Sequence, residues 1–253
     1  MVPSPPIPPS SASSPWRDWQ GSALVVGLGG IGRALRQALP IRAPQLRIWS
    51  AGRQAEDHGD YLQLDLADDA SLARLAARAQ EQLAPLRLVI CTAGLLHDSQ
   101  IQPEKRLSQV QRGALERSFA VNAFGPLLLA QALEAALPRD QTVHFASLSA
   151  RVGSIGDNRL GGWYAYRAAK AAQNQLLRTL ALEWQRRLPR VCVTLLHPGT
   201  TTTALSAPFS QGLAAAQLFS PERAAEQLLD VLEKRQPEQS GAFLAWDGQT
   251  IPW

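Results

Sequence analysis

Tyr166 and Lys170 stand four residues apart in a helical pattern, so their side chains lie on one face of that helix. A phenol with an ordinary pKa near 10 is a poor acid or base at neutral pH. An ammonium within about 4–6 Å stabilises the phenolate and lowers the phenol pKa. A tyrosine and a lysine at this spacing are common by chance, but this pair follows the fifth predicted strand. That position favours general acid/base catalysis in which Lys170 tunes Tyr166.

Gly27, Gly29 and Gly32 form a G-x-G-x-x-G run between an apolar stretch and a helical pattern. The first glycine permits a tight turn, the second lets the backbone approach a pyrophosphate, and the third lets the helix pack closely. A helix N-terminus favours the negative charge of a phosphate. By itself such a run is also consistent with a structural turn. The flanking strand and helix favour a dinucleotide site that includes Gly30 and Ile31.

The end of the second predicted strand reads Ser50-Ala51-Gly52-Arg53 and holds no acid. An acidic group there binds the adenosine ribose and repels a 2′-phosphate, whereas Arg53 can pair with that phosphate and Ser50 can donate to it. The sequence therefore predicts a preference for NADP(H), with NAD(H) as the alternative cofactor. The other interpretation of Arg53 is a solvated surface charge. Asp65, at the end of the third strand, is a candidate for binding the adenine amino group or for forming a turn.

The elements that must position these residues alternate between strand-like and helix-like patterns. Strands are predicted from residue 22 and over 46–50, 61–66, 87–91, 141–149, 191–197 and 241–248; helices follow the glycine run and cover 68–83, about 113–137, 164–187 and 221–234. Ser220 is placed to cap the last helix. Such alternation predicts an α/β fold, a Rossmann-type doubly wound parallel sheet in a single domain.

Length and composition set the limits of that domain. The chain has 253 residues, the length of one large α/β domain. Residues 1–19 are rich in proline and serine and are predicted to be a disordered tail, which leaves 20–253 as the domain carrying both the cofactor and the substrate sites. The net charge is +4, but the arginines are scattered, so we expect no nucleic-acid partner.

The two cysteines, Cys91 and Cys192, lie in apolar strand-like runs, where a thiol behaves as a small apolar group. His97, His144 and His197 have no ligand-like spacing, so no metal site is predicted. We find no secretory signal and no stretch of about 18 apolar residues. A cytoplasmic protein without membrane insertion is the resulting expectation.

In the order of its motifs the chain resembles the short-chain dehydrogenase/reductase family over about residues 22–253. The resemblance rests on the glycine run, Asp65, Cys91-Thr92-Ala93-Gly94, Asn122 in VNAFGP, Ser149 in SLSARVGS, the Tyr166 to Lys170 pair, and Pro198-Gly199 followed by Thr203. The stretch SARVGSIGDNRLGGWYAYRAAKAAQN is also similar to the subgroup of C-factor-like proteins.

This resemblance implies hydride transfer between NADP(H) and a small carbonyl compound or secondary alcohol. Tyr166 would be the general acid/base, and Lys170 would tune it and bind the nicotinamide ribose. Asn122 would hold a water in a proton relay, and Ser149 would hydrogen-bond the substrate oxygen. The implied cofactor contacts also include Asp65, Leu66, Thr92, Ala93, Gly94, Pro198, Gly199, Thr200 and Thr203. Family members commonly pair through their two long helices, so a homodimer or homotetramer is expected.

The chain departs from the family pattern at three points. Its glycine turn is one residue shorter, Cys91-Thr92 replaces two asparagines, and the interval from Ser149 to Tyr166 is longer. Ala150 occupies one possible alignment of the catalytic serine, and Ser147 is the second candidate for it. A cofactor-binding regulatory or signalling protein with weak turnover is the alternative to the enzyme.

Overall fold

The computed structural model describes residues 14–54, 56, 59–207 and 218–253. Within them, seven strands form one parallel sheet in the order β3-β2-β1-β4-β5-β6-β7. The strands are β1 (Gly21–Val26), β2 (Leu46–Gly52), β3 (Tyr61–Gln63), β4 (Leu86–Cys91), β5 (Val143–Leu148), β6 (Val191–His197) and β7 (Ala242–Ala245). The predicted doubly wound α/β fold in a single domain is confirmed.

The helices are α1 (Gly30–Arg42), α2 (Asp69–Gln82), α3 (Arg112–Phe119), α4 (Gly125–Leu133), α5 (Tyr164–Arg187) and α6 (Pro221–Glu233). Ser220 caps α6 as predicted, because its hydroxyl accepts a hydrogen bond from Arg223 N at 3.1 Å. Asp68 caps α2 in the same way through Ala70 N, at 3.0 Å. These caps satisfy backbone donors that the first helical turn leaves without partners.

Two apolar layers hold the helices on opposite faces of the sheet. Along β1, Leu24 and Val26 join the layer beneath α2, α4 and α5, whereas Ala23 and Val25 join the layer beneath α1 and α6. Successive strand residues point to opposite faces, so a central strand must be apolar throughout. The continuous apolar runs in the sequence have this cause.

The N-terminal segment corrects the predicted domain boundary. Trp16 is only 1% exposed and belongs to the layer beneath α1 and α6. The rings of Trp16 and Trp19 lie 5.6 and 5.5 Å from the His144 ring, and the Arg87 guanidinium lies 4.2 Å above Trp19. Residues 14–19 are therefore packed on the fold, because large aromatic side chains repay their ordering. Residues 1–13 of the predicted tail lie outside the described part of the chain.

The predicted long helix 113–137 consists of α3, a π-helical turn (Ala120–Phe124), α4 and a final 3₁₀ turn. Arg112–Ala136 is long and apolar enough, by length and composition alone, to cross a membrane, contrary to the expectation that no such stretch exists. One such helix is weak evidence for a membrane protein. Within the fold, α3 packs against α5, and α4 packs against α2 and α5, so core packing accounts for part of its apolar residues.

Candidate active site

The predicted site residues follow the carboxyl ends of four strands. The glycine turn follows β1, Ala93 and Gly94 follow β4, Ser149 follows β5, and Pro198 follows β6. Strand order reverses between β1 and β4, which are neighbours in the sheet. A doubly wound sheet opens its binding crevice at such a point, so the fold brings these segments to one place.

The glycine turn is shaped to accept a pyrophosphate. Gly27 has a φ of +92°, and a Cβ at Gly32 would lie 1.9 Å from the Gly27 oxygen, so both positions require glycine. At Gly29, the N-cap of α1, a Cβ would meet nothing within 4 Å, and no side chain caps the helix. Ile31 packs against the core behind the turn. Open space before an uncapped helix N-terminus fits the phosphates of a dinucleotide.

Thr92 ties the end of β4 to this turn. Its hydroxyl donates to the Gly27 carbonyl at 2.5 Å, and its N–H donates to the Val26 carbonyl at 2.7 Å. A Cβ at Gly27 would lie only 2.7 Å from Ala93 N, so the two segments are in close contact. The Thr92 hydroxyl is thus bound within the protein, whereas the prediction gave it to the cofactor.

The predicted adenosine contacts differ in where they lie. Arg53 is exposed directly after β2. Asp65 is half-buried, and one of its carboxylate oxygens accepts from Ala67 N at 2.9 Å, which is the turn that the sequence allowed. Leu66 is in the core, and a Cβ at Gly125 would lie 2.8 Å from the Leu66 Cβ. Only the backbone of Leu66 can therefore face a ligand.

Ser50 does not reach the crevice, contrary to the prediction. The strand continues two residues further, to Gly52, and Ser50 is 0% exposed within it. Its hydroxyl oxygen has no hydrogen-bond partner among the described residues. The apolar run predicts the strand but not the residue at which it ends. The prediction ended the strand at residue 50, and Ser50 was therefore wrongly expected to face the cofactor.

Arg33, which the sequence analysis did not select, also lies near the end of β2. It follows the glycine turn in α1, and its guanidinium pairs with the Glu56 carboxylate at 2.7 Å. Its side chain is 57% exposed. The signal for it was its position directly after Gly32, one helical turn from the helix N-terminus.

The loop after β6 is held by the segment that leads into α6. Gly199 has a φ of +76°, and a Cβ there would lie 2.5 Å from the Phe219 ring. Phe219 N donates to the Thr200 carbonyl at 2.9 Å. Pro198 begins this loop directly after the strand. The loop is therefore fixed at the crevice by contacts that need glycine at position 199.

Thr203 brings this loop into contact with the glycine turn: a Cβ at Gly30 would lie 2.9 Å from the Thr203 methyl carbon. His97 Nε2 lies 3.1 Å from the Ala204 carbonyl oxygen, which joins the loop after β4 to the loop after β6. The predicted cofactor segments 27–32, 92–94 and 198–203 thus surround one crevice.

The start of α5 is fixed by a buried acid that the sequence analysis missed. Glu104 is 3% exposed, its carbonyl accepts from Trp163 N at 2.5 Å, and its carboxylate accepts from Ala165 N at 3.3 Å. Trp163 has a φ of 52°, a left-handed conformation that a residue other than glycine rarely adopts. These bonds set the direction in which α5 presents Tyr166.

Tyr166 and Lys170 lie on one face of α5 as predicted, and both are buried. Lys170 Nζ lies 5.7 Å from the centroid of the Tyr166 ring. The ammonium donates to the Leu148 carbonyl at 2.8 Å and to Gln173 Oε1 at 2.9 Å. The Lys170 amine is therefore held in place by hydrogen bonds to two neutral acceptors.

Burial dominates the electrostatics of this pair. It raises the pKa of the Tyr166 phenol above its usual value and lowers the pKa of Lys170 to about 8. Both shifts follow from the low polarity of the site, which disfavours whichever form is charged. The expected lowering of the phenol pKa by Lys170 is not seen, so the groups of the chain itself keep Tyr166 protonated at neutral pH.

The two serine candidates, Ser147 on β5 and Ser149 directly after it, are each bound to an amide of α5. Ser149 donates to Asn174 Oδ1 at 2.6 Å, and Ser147 accepts from Gln173 Nε2 at 2.8 Å. Both serines are nearly inaccessible, with exposures of 4% and 1%. Ala150, the next residue, is half-buried. Ser149 can donate to a substrate only if its proton leaves Asn174.

Asn122 lies in the π-helical turn and is fully buried. Its side chain accepts from Leu95 N at 2.8 Å and donates to the Leu95 carbonyl at 2.7 Å. A Cβ at Gly94 would lie 3.4 Å from Asn122 Oδ1 and 4.0 Å from Lys170 Nζ. Asn122 thus holds the loop that approaches Lys170, and both sides of its side-chain amide are occupied by hydrogen bonds to the Leu95 backbone.

No group of three or more metal-ligating side chains occurs among the residues with described positions. Burial lowers the pKa of both His144 and His197 to about 4, so each is neutral inside the fold. His144 is buried and His197 is half-buried, and both act as structural groups.

A family model described as short chain dehydrogenase matches residues 22–214. The chain belongs to this family. It is an NAD(P)-dependent oxidoreductase. The suspected family membership is thereby confirmed.

Curated relatives of this short-chain dehydrogenase include a dehydrogenase and a protein named C-signal. The chain is 31% identical over 192 residues to 1-hydroxy-2-glutathionyl-2-methyl-3-butene dehydrogenase of Rhodococcus sp. strain AD45, covering 75% of this chain and 78% of the relative. It is 34% identical over 148 residues to C-signal of Myxococcus xanthus, covering 58% and 83%. The similarity to the C-factor-like subgroup is confirmed by the second relative.

Solved structures agree with this short-chain dehydrogenase in fold. Carbonyl reductase from chicken fatty liver, with NADPH bound, superposes with a TM-score of 0.80 at 24% identity, covering 92% of this chain and 99% of that one. Carbonyl reductase Sniffer of D. melanogaster gives 0.77 at 23% identity, covering 93% and 100%. At these identities the likeness establishes the fold alone.

Proposed function

We propose that this enzyme uses NADPH to reduce the carbonyl group of a small molecule, with Tyr166 as the proton donor. The observation that carries the proposal is the Tyr166 phenol, buried on α5 one helical turn from Lys170. Burial raises its pKa, so it carries its proton near neutral pH. Carbonyl reduction requires a proton at the nascent alkoxide, and a protonated phenol can supply it. The names of the two carbonyl reductases with this fold support the same class of reaction.

NADPH, when bound, supplies the hydride, and the chain supplies position and a proton. The amine of Lys170 lies near the loop at Gly94, where it can hydrogen-bond the nicotinamide ribose. From there it can also return a proton to the Tyr166 phenolate after the reaction. Asn122 orders the loop after β4 and keeps its geometry fixed. In this proposal Ser149 has a secondary role, because its hydroxyl is already bonded to Asn174.

The preference for NADPH is proposed from the charges at the end of β2. Arg53 is exposed there, and Arg33 presents a second guanidinium from α1. A guanidinium matches the geometry and the charge of a 2′-phosphate. Glu56 shares Arg33, so Arg53 is the side chain that we assign to the phosphate.

The substrate side of the crevice is formed by the segments 95–99, 151–163 and 200–207 among the described residues. The contact between His97 and Ala204 closes two of these loops toward each other. Loop segments vary in shape among enzymes of one fold, so the substrate class remains a small carbonyl compound.

Consumption of NADPH by the purified full chain tests the proposal. A panel of aldehydes, ketones and quinones is offered with NADPH, and the loss of its absorbance is followed. We expect turnover with at least one class. Binding of NADPH without turnover across the panel would contradict the proposal and favour a cofactor-binding regulatory protein.

We also propose that the enzyme forms a homodimer or homotetramer through α4 and α5. Leu182 on α5 is 45% exposed, and an open groove between the helices is lined by apolar residues such as Leu127 and Leu180, with Glu134 and Arg187 at its rim. A two-fold axis would place this mixed surface against itself. Light scattering should give a multiple of 27.4 kDa, and Leu182→Glu should reduce the mass to one chain. A monomer for the unchanged protein at micromolar concentration would refute this assembly.

A further inference from the structure

Gln173 connects Lys170 to the central sheet. It lies three residues after Lys170 in α5, so the two side chains share one face of the helix. Gln173 Oε1 accepts from Lys170 Nζ at 2.9 Å, while Gln173 Nε2 donates to Ser147 Oγ at 2.8 Å and to the Leu148 carbonyl at 3.2 Å. Gln173 is 0% exposed, so water does not replace these bonds.

The orientation of the Gln173 amide follows from its partners. Leu148 O can only accept a hydrogen bond, so it selects the NH₂ side of the amide. The oxygen side is then left facing the Lys170 ammonium, which can only donate. A reversed amide would place donors against the ammonium and leave a buried carbonyl without an NH partner, which costs more than the hydrogen bonds themselves.

We propose that Gln173 is a positioning residue that fixes the Lys170 amine near the Tyr166 ring and sets the pH range in which that amine carries its charge. The inference rests on the proposed function in giving Lys170 a part in proton transfer. The arrangement of the amide itself stands on the geometry alone. Gln173 acts through Lys170 and does not touch the reacting atoms.

No charged group near Lys170 among the described residues stabilises its ammonium in place of the Gln173 amide. Tyr166 faces it from α5 and Cys91 from β4, and burial raises the pKa of each, so both are neutral near pH 7. Arg151, on the 3₁₀ turn that packs against α5, is paired with Asp157 at 2.7 Å. In the part of the chain that is described, no carboxylate bonds to Lys170, and its two acceptors are the Gln173 amide and the Leu148 carbonyl.

Removing one of two acceptors must make the buried ammonium harder to maintain. Burial already lowers the pKa of Lys170 to about 8, within the range where enzymes are assayed. Gln173→Leu should lower it further, whereas Gln173→Glu places a carboxylate at the same distance and should raise it. Opposite shifts from two substitutions of similar size separate an electrostatic role from simple packing.

The experiment follows the Lys170 amine directly, by NMR of the full chain labelled with ¹³C-lysine. The sequence contains three lysines, so Lys105→Arg and Lys234→Arg assign the remaining signal to Lys170. We expect the titration midpoint of Lys170 to fall by about one pH unit in Gln173→Leu and to rise by about one unit or more in Gln173→Glu. The same substitutions at Gln175, exposed on the same helix, should leave it unchanged.

Kinetics and a second variant complete the test. The high-pH limb of kcat/KM for carbonyl reduction should move in the same two directions as the NMR midpoint. If Gln173→Leu does not fold, Ser147→Ala removes one bond that orients the amide and should still shift the midpoint downward. A midpoint that stays in place in folded Gln173→Leu and Gln173→Glu would overturn the inference even with activity present. Midpoints that move without any turnover would overturn the proposed function instead.

Discussion

The hydroxyl of Ser149 donates to Asn174 Oδ1 at 2.6 Å, and Asn174 directly follows the glutamine that binds Lys170. Two adjacent amides of α5 therefore control two groups of the proposed chemistry. The proton that Ser149 would offer to a substrate oxygen is already held inside the fold. Tyr166 is left as the principal acid of the crevice, and the relative cost of losing each hydroxyl can be predicted.

Tyr166→Phe should reduce turnover by about 10²–10⁴-fold, because it removes the proton donor and keeps the ring. NADPH affinity should be nearly unchanged, as measured by titration of the cofactor's fluorescence. Tyr164→Phe is the matched control, since Tyr164 is 42% exposed at the start of the same helix. Full activity of Tyr166→Phe on a substrate of the parent would refute the mechanism.

Ser149→Ala should cost much less than Tyr166→Phe. The substitution removes one neutral hydrogen bond, worth about 1 kcal/mol, and we expect a loss of turnover of about fivefold. Thermal stability should also fall, because the buried Asn174 oxygen loses its donor. A loss as large as that of Tyr166→Phe, with NADPH affinity unchanged, would show that the Ser149 proton leaves Asn174 for the substrate.

The fold and the cofactor turn could be predicted because they depend on local patterns. Apolar runs alternate with helical spacing, the glycines of 27–32 follow a strand, and Ser220 precedes Pro221 at a helix start. Each of these features is decided by backbone conformation within a few residues. A single sequence displays such features directly.

The misplaced residues depend on contacts between distant segments. Ser50 looked like the end of a strand, but β2 pairs with β3 for two residues more and buries it. Trp16 follows a proline-rich stretch, yet it packs against His144, far along the chain. Gln173 and Asn174 were not selected from the sequence, and their partners Ser147 and Ser149 lie on β5 and directly after it. Composition and periodicity do not contain these pairings.

Arg53→Ala should remove most of the preference for NADPH over NADH. Loss of one charge-assisted contact is worth about 1.5–3 kcal/mol, so the NADPH dissociation constant should rise by about 10- to 150-fold. The affinity for NADH should change little. Arg186, which is exposed on α5, provides the control: Arg186→Ala also removes one positive charge but should leave the NADPH affinity unchanged. Equal affinities for the two cofactors in the unchanged enzyme would contradict the assignment of Arg53.

Two histidines, the buried His144 and the half-buried His197, predict how stability depends on pH. Burial, with the nearby positive charges of Arg235 and Arg87, lowers the pKa of His144 to about 4, and burial lowers that of His197 to about 4. In the unfolded chain a histidine takes up its proton near pH 6.5. Between pH 6.5 and about 4 the unfolded state therefore binds more protons than the folded state, and stability falls as the pH falls.

The size and origin of this loss can be measured by urea unfolding from pH 7 to pH 4.5. Each histidine should contribute a loss of up to about 3 kcal/mol over its whole range. Asp98 and Glu222, whose pKa values are lowered from 3.8 and 4.5, contribute mainly below this window. His144→Phe keeps a ring packed against Trp16 and Trp19, and it removes a ring nitrogen that has no hydrogen-bond partner among the described residues. It should flatten the pH dependence by about half and leave stability near pH 7 almost unchanged, whereas an unaltered slope would show that His144 does not cause the loss.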